Sequence, residues 1–176
     1  IIIYSSKEFK RITSGNTILG VSVMTVFRVL FLLTLVLALH GQDDQLKFDH
    51  LTVEDGLSHG ALYSIVQDSR GFMWFGTRFG LNRYDGHEFK LFSHDPENPS
   101  SLPGYKIVAL LEDHQNRLWV GTEAGGLGRY DRSTEQFFNY RNDPADSSSL
   151  SNDLITCIFE DSEQNLWVGT QNGLNC

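Results

Sequence analysis

Beyond the first 41 residues, apolar positions come in short runs broken by polar turns, and nowhere does an apolar stripe persist at helical spacing over three turns. Antiparallel strands joined by tight turns are therefore expected. Leu62 to Gln67, Val108 to Glu112 and Ile155 to Glu160 are the first strands of three successive stretches. Met73 to Gly76, Leu118 to Gly121 and Leu166 to Gly169 follow across a polar turn. A third strand is expected from Leu81 to Tyr84 and from Leu127 to Tyr130, and a fourth from Glu88 to Phe92 and from Gln136 to Tyr140. The turn between the first two strands calls for a residue tolerant of positive φ, which Gly71 and Asn116 supply. Gln164 at the same place weakens that detail in the third stretch.

The strands recur because the sequence recurs. Asp68 to Thr77 reads DSRGFMWFGT, Asp113 to Thr122 reads DHQNRLWVGT and Asp161 to Thr170 reads DSEQNLWVGT. Leu57-Ser58, Leu102-Pro103 and Leu150-Ser151 open the three copies, so the period is 45 and then 48 residues. The extra length falls in turns and connections, Gly125 among them. A unit of this length cannot bury its own apolar faces and must stack on its neighbours. Four antiparallel strands per copy make the blade of an all-β propeller.

Within a blade, Trp74, Trp119 and Trp167 are large enough to fill the wedge between adjacent blades. Gly76, Gly121 and Gly169 permit close approach of backbone, and Thr77, Thr122 and Thr170 can hydrogen-bond locally. Asp68, Asp113 and Asp161 stand just ahead of a turn, where a carboxylate accepting backbone N–H groups holds the corner. Their threefold recurrence marks them as structural rather than catalytic.

The motif Leu57-Ser58, Ile65-Val66 with Asp68, Met73-Trp74-Phe75-Gly76-Thr77 and Gly80-Leu81-Asn82-Arg83-Tyr84-Asp85 resembles the two-component regulator propeller repeat. The second copy departs from it at Gly128, where Asn is expected, and carries the additional Gly125. The resemblance covers about residues 48 to 176. It implies the periplasmic sensor region of a bacterial hybrid histidine kinase, on the outer side of the inner membrane, recognising a small ligand such as an oligosaccharide. Relatives of this kind also precede diguanylate cyclases, and a non-signalling exported propeller for protein interaction is the remaining alternative. The partners so implied are the remaining blades of a parent chain, a carbohydrate or other small ligand, and a second receptor copy in a homodimer.

The expected layout follows from the repeats: blade 1 over 57–101, blade 2 over 102–149 and a partial third blade over 150–176. A closed propeller needs at least four blades, so about two and a half blades read as the amino-terminal part of a longer protein. Residues 42–56, with Phe48 and Leu51, are expected to hold an outer closing strand and the lead-in to blade 1. From Val26 to Leu39 the chain is apolar except for Arg28 and Thr34, the length of a signal-peptide core rather than of a routine spanning helix. Residues 24–41 are thus a signal peptide or an amino-terminal anchor, and residues 1–23 are upstream of the expected start at Met24.

Composition narrows the chemistry further. The net charge of −8 and the lack of a Lys/Arg cluster leave no electrostatic footprint for nucleic acid. No metal-ligand spacing, nucleophile elbow or cofactor fingerprint is present, so neither a catalytic residue nor a cofactor is expected. Gly125-Gly126-Leu127-Gly128 is a hairpin turn, since a strand and not a helix follows. His59, His87 and His94 fall in turns or connections. Cys157, inside a strand, is expected to be a buried thiol. The loops His94 to Gly104 and Asn142 to Asp153, rich in Pro, Ser and Asp, are expected at one propeller face and are candidates for a ligand mouth.

Overall fold

The computed structural model describes residues 26–28 and 46–176. The expected leader, 24–41, lies almost wholly outside them. Among the described residues, no helix is long and apolar enough to cross a membrane. Among the described residues, all strands fall in the compact unit His50–Cys176.

Sheet 1 is built from β1 (Leu62–Gln67), β2 (Met73–Thr77), β3 (Gly80–Tyr84) and β4 (Phe89–Phe92). Sheet 2 holds β5 (Ile107–Glu112), β6 (Leu118–Thr122), β7 (Leu127–Asp131) and β8 (Gln136–Tyr140). Sheet 3 has β9 (Ile155–Glu160), β10 (Leu166–Thr170) and β11 (Gly173–Asn175). Each is an antiparallel meander in sequence order, which is the blade geometry the fourfold strand pattern implied. Observed strands differ from the expected ones by a residue or so at their ends, chiefly because the Thr of each Gly-Thr pair joins the ladder.

Apolar residues meet in two joints between sheets. The first buries Trp74, Leu81 and Phe92 of sheet 1 against Ile107, Leu118, Val120, Tyr130 and Phe137 of sheet 2. The second buries Trp119 and Leu127 of sheet 2 against Ile155 and Val168 of sheet 3. The glycine after each tryptophan sets the spacing. A Cβ on Gly76 would stand 2.8 Å from Ile107 Cγ2, and one on Gly121 would stand 2.6 Å from Ile155 Cγ2. Such distances exclude any larger residue without separating the sheets.

The departure of the second copy from the motif has a local cause. In sheet 1, Asn82 Oδ1 accepts from the Ser58 amide at 3.0 Å while its Nδ2 donates to Ser58 Oγ at 2.8 Å. Asn175 and Ser151 repeat the pair in sheet 3. Pro103 takes the serine's place in sheet 2 and has no amide to satisfy. Gly128 replaces the asparagine because a Cβ there would lie 3.0 Å from Pro103 Cδ, and Gly125 passes so close that a Cβ would lie 2.0 Å from Pro103 O.

Three details differ from the sequence reading. Gln164 adopts φ 69°, beside Asn116 at 59° and Gly71 at 90°, so the third copy keeps the left-handed turn after all. The Asp161 carboxylate, which accepts from the amides of Glu163 and Asn165, holds the corner whatever its central side chain. Cys157 is an exposed free thiol rather than a buried one. Ala109 at the same register is buried because sheet 3 covers it, whereas no described sheet covers Cys157. Leu46 to Thr52 forms no strand and leads into a single 3-10 turn at Val53–Asp55, capped by Thr52. Leu46 and Phe48 are 82% and 76% exposed.

Candidate functional site

Strand register divides the unit into two ends with different chemistry. Gln67 pairs with Met73 and Tyr84 with Phe89, so the β1–β2 and β3–β4 turns lie together at one end. Leu62 pairs with Thr77 and Leu81 with Phe92, so the start of β1, the β2–β3 turn and the connection after β4 share the other. Sheet 2 repeats this arrangement.

The turn end is a set of carboxylate corners. Asp68 Oδ1 accepts from the amides of Arg70 and Phe72, each at 3.0 Å, and Oδ2 accepts from Trp74 Nε1 at 2.9 Å. Asp113 does the same for Gln115, Arg117 and Trp119, and Asp161 for Glu163, Asn165 and Trp167. The sequence reading assigned the backbone contacts but missed the bond to the indole, although the constant spacing of six between Asp and Trp was its signal. The same end carries latches between sheets. Glu112 of sheet 2 accepts from the amide and hydroxyl of Ser69 at 2.7 and 2.9 Å, and Glu160 of sheet 3 accepts from the His114 amide at 2.8 Å and meets its imidazole. Arg132 ties Asp68 to Glu112, with 2.6 Å to each.

These bonds depress the carboxyl pKa values. Burial pushes Asp68 and Asp113 upward, but donors from Arg132, Trp74 and the Phe72 amide to the first, and from Trp119 and Arg117 to the second, outweigh it. Bonds from Trp167 and Asn165 bring Asp161 from 3.8 to about 2. A carboxylate held below its unfolded pKa adds stability that is complete above that value and disappears as pH falls through the folded one. Unfolding measured against pH should therefore show stability falling as the solution is acidified from about pH 4 toward the folded values. For Asp161 the window runs from 3.8 down to about 2. Asp161→Asn should flatten this part of the profile, and an unchanged acid limb would contradict the assignment.

The loop end is less regular. His59 packs edge-on to Phe79 at 5.1 Å between ring centres, and His94 packs edge-on to Tyr105 at 4.9 Å. Lys106 Nζ lies 4.6 Å from the Tyr63 ring centre and 2.6 Å from Glu123 Oε1. Tyr63, Phe79 and Tyr105 are all exposed. A shallow cavity of about 360 Å³ opens here, lined by His94, Pro103, Tyr105, Lys106, Glu123 and Arg141.

The two long connections, the candidates for a ligand mouth, are each held in shape by a side-chain clasp. Asp95 and Ser101 clasp the first loop through reciprocal bonds of 2.9 Å, and Asp143 and Ser149 clasp the second in the same way. The first is also stitched to β8, with the Phe137 amide donating to Ser100 O at 2.8 Å. The first loop reaches the cavity at both its ends, through His94 and through Pro103 and Gly104. Phe79, Tyr105 and Lys106 escaped the sequence reading. Their signal was divergence within a repeat: Gly60, Tyr105 and Asp153 share one register, as do Ala61, Lys106 and Leu154. Packing holds the tryptophans alike and leaves these positions free to differ. Among the described residues, no group of carboxylates, histidines and cysteines is placed to hold a metal ion.

Sheets of this kind, stacked through a tryptophan and glycine joint, define a β-propeller protein. The model of the two component regulator propeller matches residues 56–79, 101–124 and 149–172, one match per sheet. The chain is built from two-component regulator propeller repeats. Over 77 residues it is 40% identical to histidine kinase P4 of Formosa agariphila, a match covering 44% of this chain and 6% of that one. It is similar in structure to the extracellular domain described as that of the hybrid two component system BT3049 of B. thetaiotaomicron, with TM-score 0.63, 32% identity and coverage of 68% of this chain and 17% of that one. The extracellular domain of BT4673 from the same organism matches with TM-score 0.58 and 28% identity over 73% of this chain and 18% of its own. The chain thus spans a small part of the length of these relatives.

Proposed function

We propose that this chain is part of the exported sensory propeller of a hybrid two-component receptor, and that its loop end contacts a small ligand such as an oligosaccharide. The observation that carries this reading is the contrast between the two ends. Every copy repeats the same carboxylate corner at the turn end, while the loop end varies from copy to copy and exposes Phe79, Tyr105 and Tyr63 beside polar groups. Exposed aromatic faces with adjacent hydrogen-bonding side chains suit the apolar and hydroxylated faces of a sugar ring. The likeness to extracellular domains of two component systems supports placement outside the inner membrane, with 24–41 as the export signal or anchor. Catalysis would belong to a kinase region elsewhere in the parent chain. The remaining blades and a second receptor copy are the partners this role requires.

Calorimetric titration of a panel of neutral and acidic oligosaccharides into the chain tests the proposal. Binding to at least one glycan is expected, weakened about tenfold or more by Tyr105→Ala and Phe79→Ala, a loss of roughly 1.4 kcal/mol. Glycan binding indifferent to both substitutions would overturn the placement at the loop end. Binding of peptides in place of glycans would favour an interaction propeller.

A further inference from the structure

Two cavities at the loop end share a wall. The one of about 360 Å³ beside Tyr105 adjoins another of about 320 Å³ against the first long loop, lined by Asp95, Pro96, Asn98, Ser101 and Asn139. His94 and Arg141 line both. Given the loop-end glycan reading, on which this rests, we propose that the paired cavities at the first joint hold a disaccharide with one acidic ring. A carboxylate or sulfate ester on that ring meets Arg141, and the neutral ring lies in the second cavity.

Arg141 is the charge left over. Lys106 and Glu123, which also line the first cavity, neutralise each other at 2.6 Å. In the second, Asp95 turns Oδ1 to the Glu97 amide at 3.0 Å. Among the described residues Arg141 forms no ion pair, and its guanidinium donates once, from Nη2 to Pro103 O at 3.1 Å. Most of its N–H donors are left to a ligand, in a planar fork that suits a carboxylate or a sulfate ester. His94 Nδ1 lies 2.6 Å from Leu102 O and donates to it, so in the neutral ring Nε2 is an acceptor for a sugar hydroxyl. Tyr105, exposed and met edge-on by His94, offers an aromatic face to a pyranose. Each cavity lies near the lower end of the roughly 300–1,000 Å³ usual for ligand sites, so each suits a single sugar ring.

The chemistry belongs to one joint. At the second joint the places of His94, Tyr105, Lys106 and Glu123 are taken by Asn142, Asp153, Leu154 and Gln171, none of them a cation or an aromatic. Asn142 keeps the structural half of the histidine's work, donating to Leu150 O at 2.5 Å. Packing asks the same of both joints, so the difference answers another demand. The lining residues come from the connection after β4, the β6–β7 turn and the end of β8, and none from the outward face of sheet 1 or sheet 3.

Calorimetric titration of the chain with matched sets of disaccharides, each in neutral, uronic-acid and sulfated form, tests this. At least one acidic member is expected to bind about tenfold or more tightly than its neutral counterpart, by a margin that shrinks as salt is raised. Whether the uronic acid or the sulfate ester gains more identifies the anion. Arg141→Met should bring acidic and neutral affinities together, and Arg141→Lys should keep part of the preference. A merely structural arginine would lower both alike and leave their ratio unchanged. Glu123→Gln frees the Lys106 charge and should tighten the acidic ligand about three- to fivefold, a gain that misfolding does not reproduce. Equal binding of acidic and neutral members, or a ratio unmoved by Arg141→Met, would overturn this inference and leave the loop-end reading standing. It fails alone, too, if no disaccharide binds while longer neutral glycans do. Binding of no glycan at all overturns both.

Discussion

Trp74→Ala is expected to cost about 3 to 5 kcal/mol in chaotrope unfolding, the range for truncating a large buried aromatic. Trp74 is completely buried at the first joint. Its ring stacks on Phe92 at 5.7 Å and meets Tyr130 edge-on at 5.1 Å, and its indole nitrogen donates to Asp68. Truncation therefore removes dispersion contacts to two sheets and one of the four donors to the Asp68 carboxylate. Trp74→Phe separates the effects: it keeps most of the buried area, and its loss should be smaller, roughly 1 to 2 kcal/mol for the hydrogen bond. The internal comparison is Trp167→Ala. Trp167 carries the same motif but is only half-buried, because no described sheet packs on it, and its loss should be well below that of Trp74. Equal losses at the two positions would show that the joint is not the source of the stability.

Asp68→Ala should cost about 3 kcal/mol, near the lower end of what removing one partner of a buried ion pair does. Four donors converge on this carboxylate: two turn amides, the Trp74 indole and Arg132 at 2.6 Å. The Asp68 side chain is fully buried, while that of Arg132 retains 15% exposure. Glu112 still neutralises part of the Arg132 charge in the variant, which holds the cost toward the lower figure. Asp68→Asn should recover little, since its amide group presents N–H to donors. A double-mutant cycle with Arg132→Met provides the check, because groups sharing one network couple while independent ones add. Additive losses would place Arg132 outside the network.

How much was legible from the chain alone follows from which forces are local. The strands, their turns and the backbone bonds of the Asp corners were readable, because alternating apolar runs, turn residues and short-range carboxylate-to-amide bonds act within a dozen residues. Three tandem copies then forced stacking, since no copy buries itself. Even the glycine after each tryptophan announced a close approach.

What faces that glycine was not readable. Ile107 and Ile155 belong to the next copy, 31 and 34 residues further along the chain, and only the packed sheets bring them against Gly76 and Gly121. The same holds for the latch from Glu112 to Ser69 and for Arg132 reaching Asp68, residues 43 and 64 apart in sequence. The coupled change to Pro103 and Gly128 looked like a lapse in the motif until the two were seen in contact. The burial of Cys157 was misjudged for a related reason: strand pattern tells which residues share a face, not whether another sheet covers it. The repeat thus determined the blade and its corners, through interactions that end within one copy. The tertiary structure decided the joints, the latches and the exposed aromatic end, because those depend on surfaces that exist only once neighbouring copies have stacked.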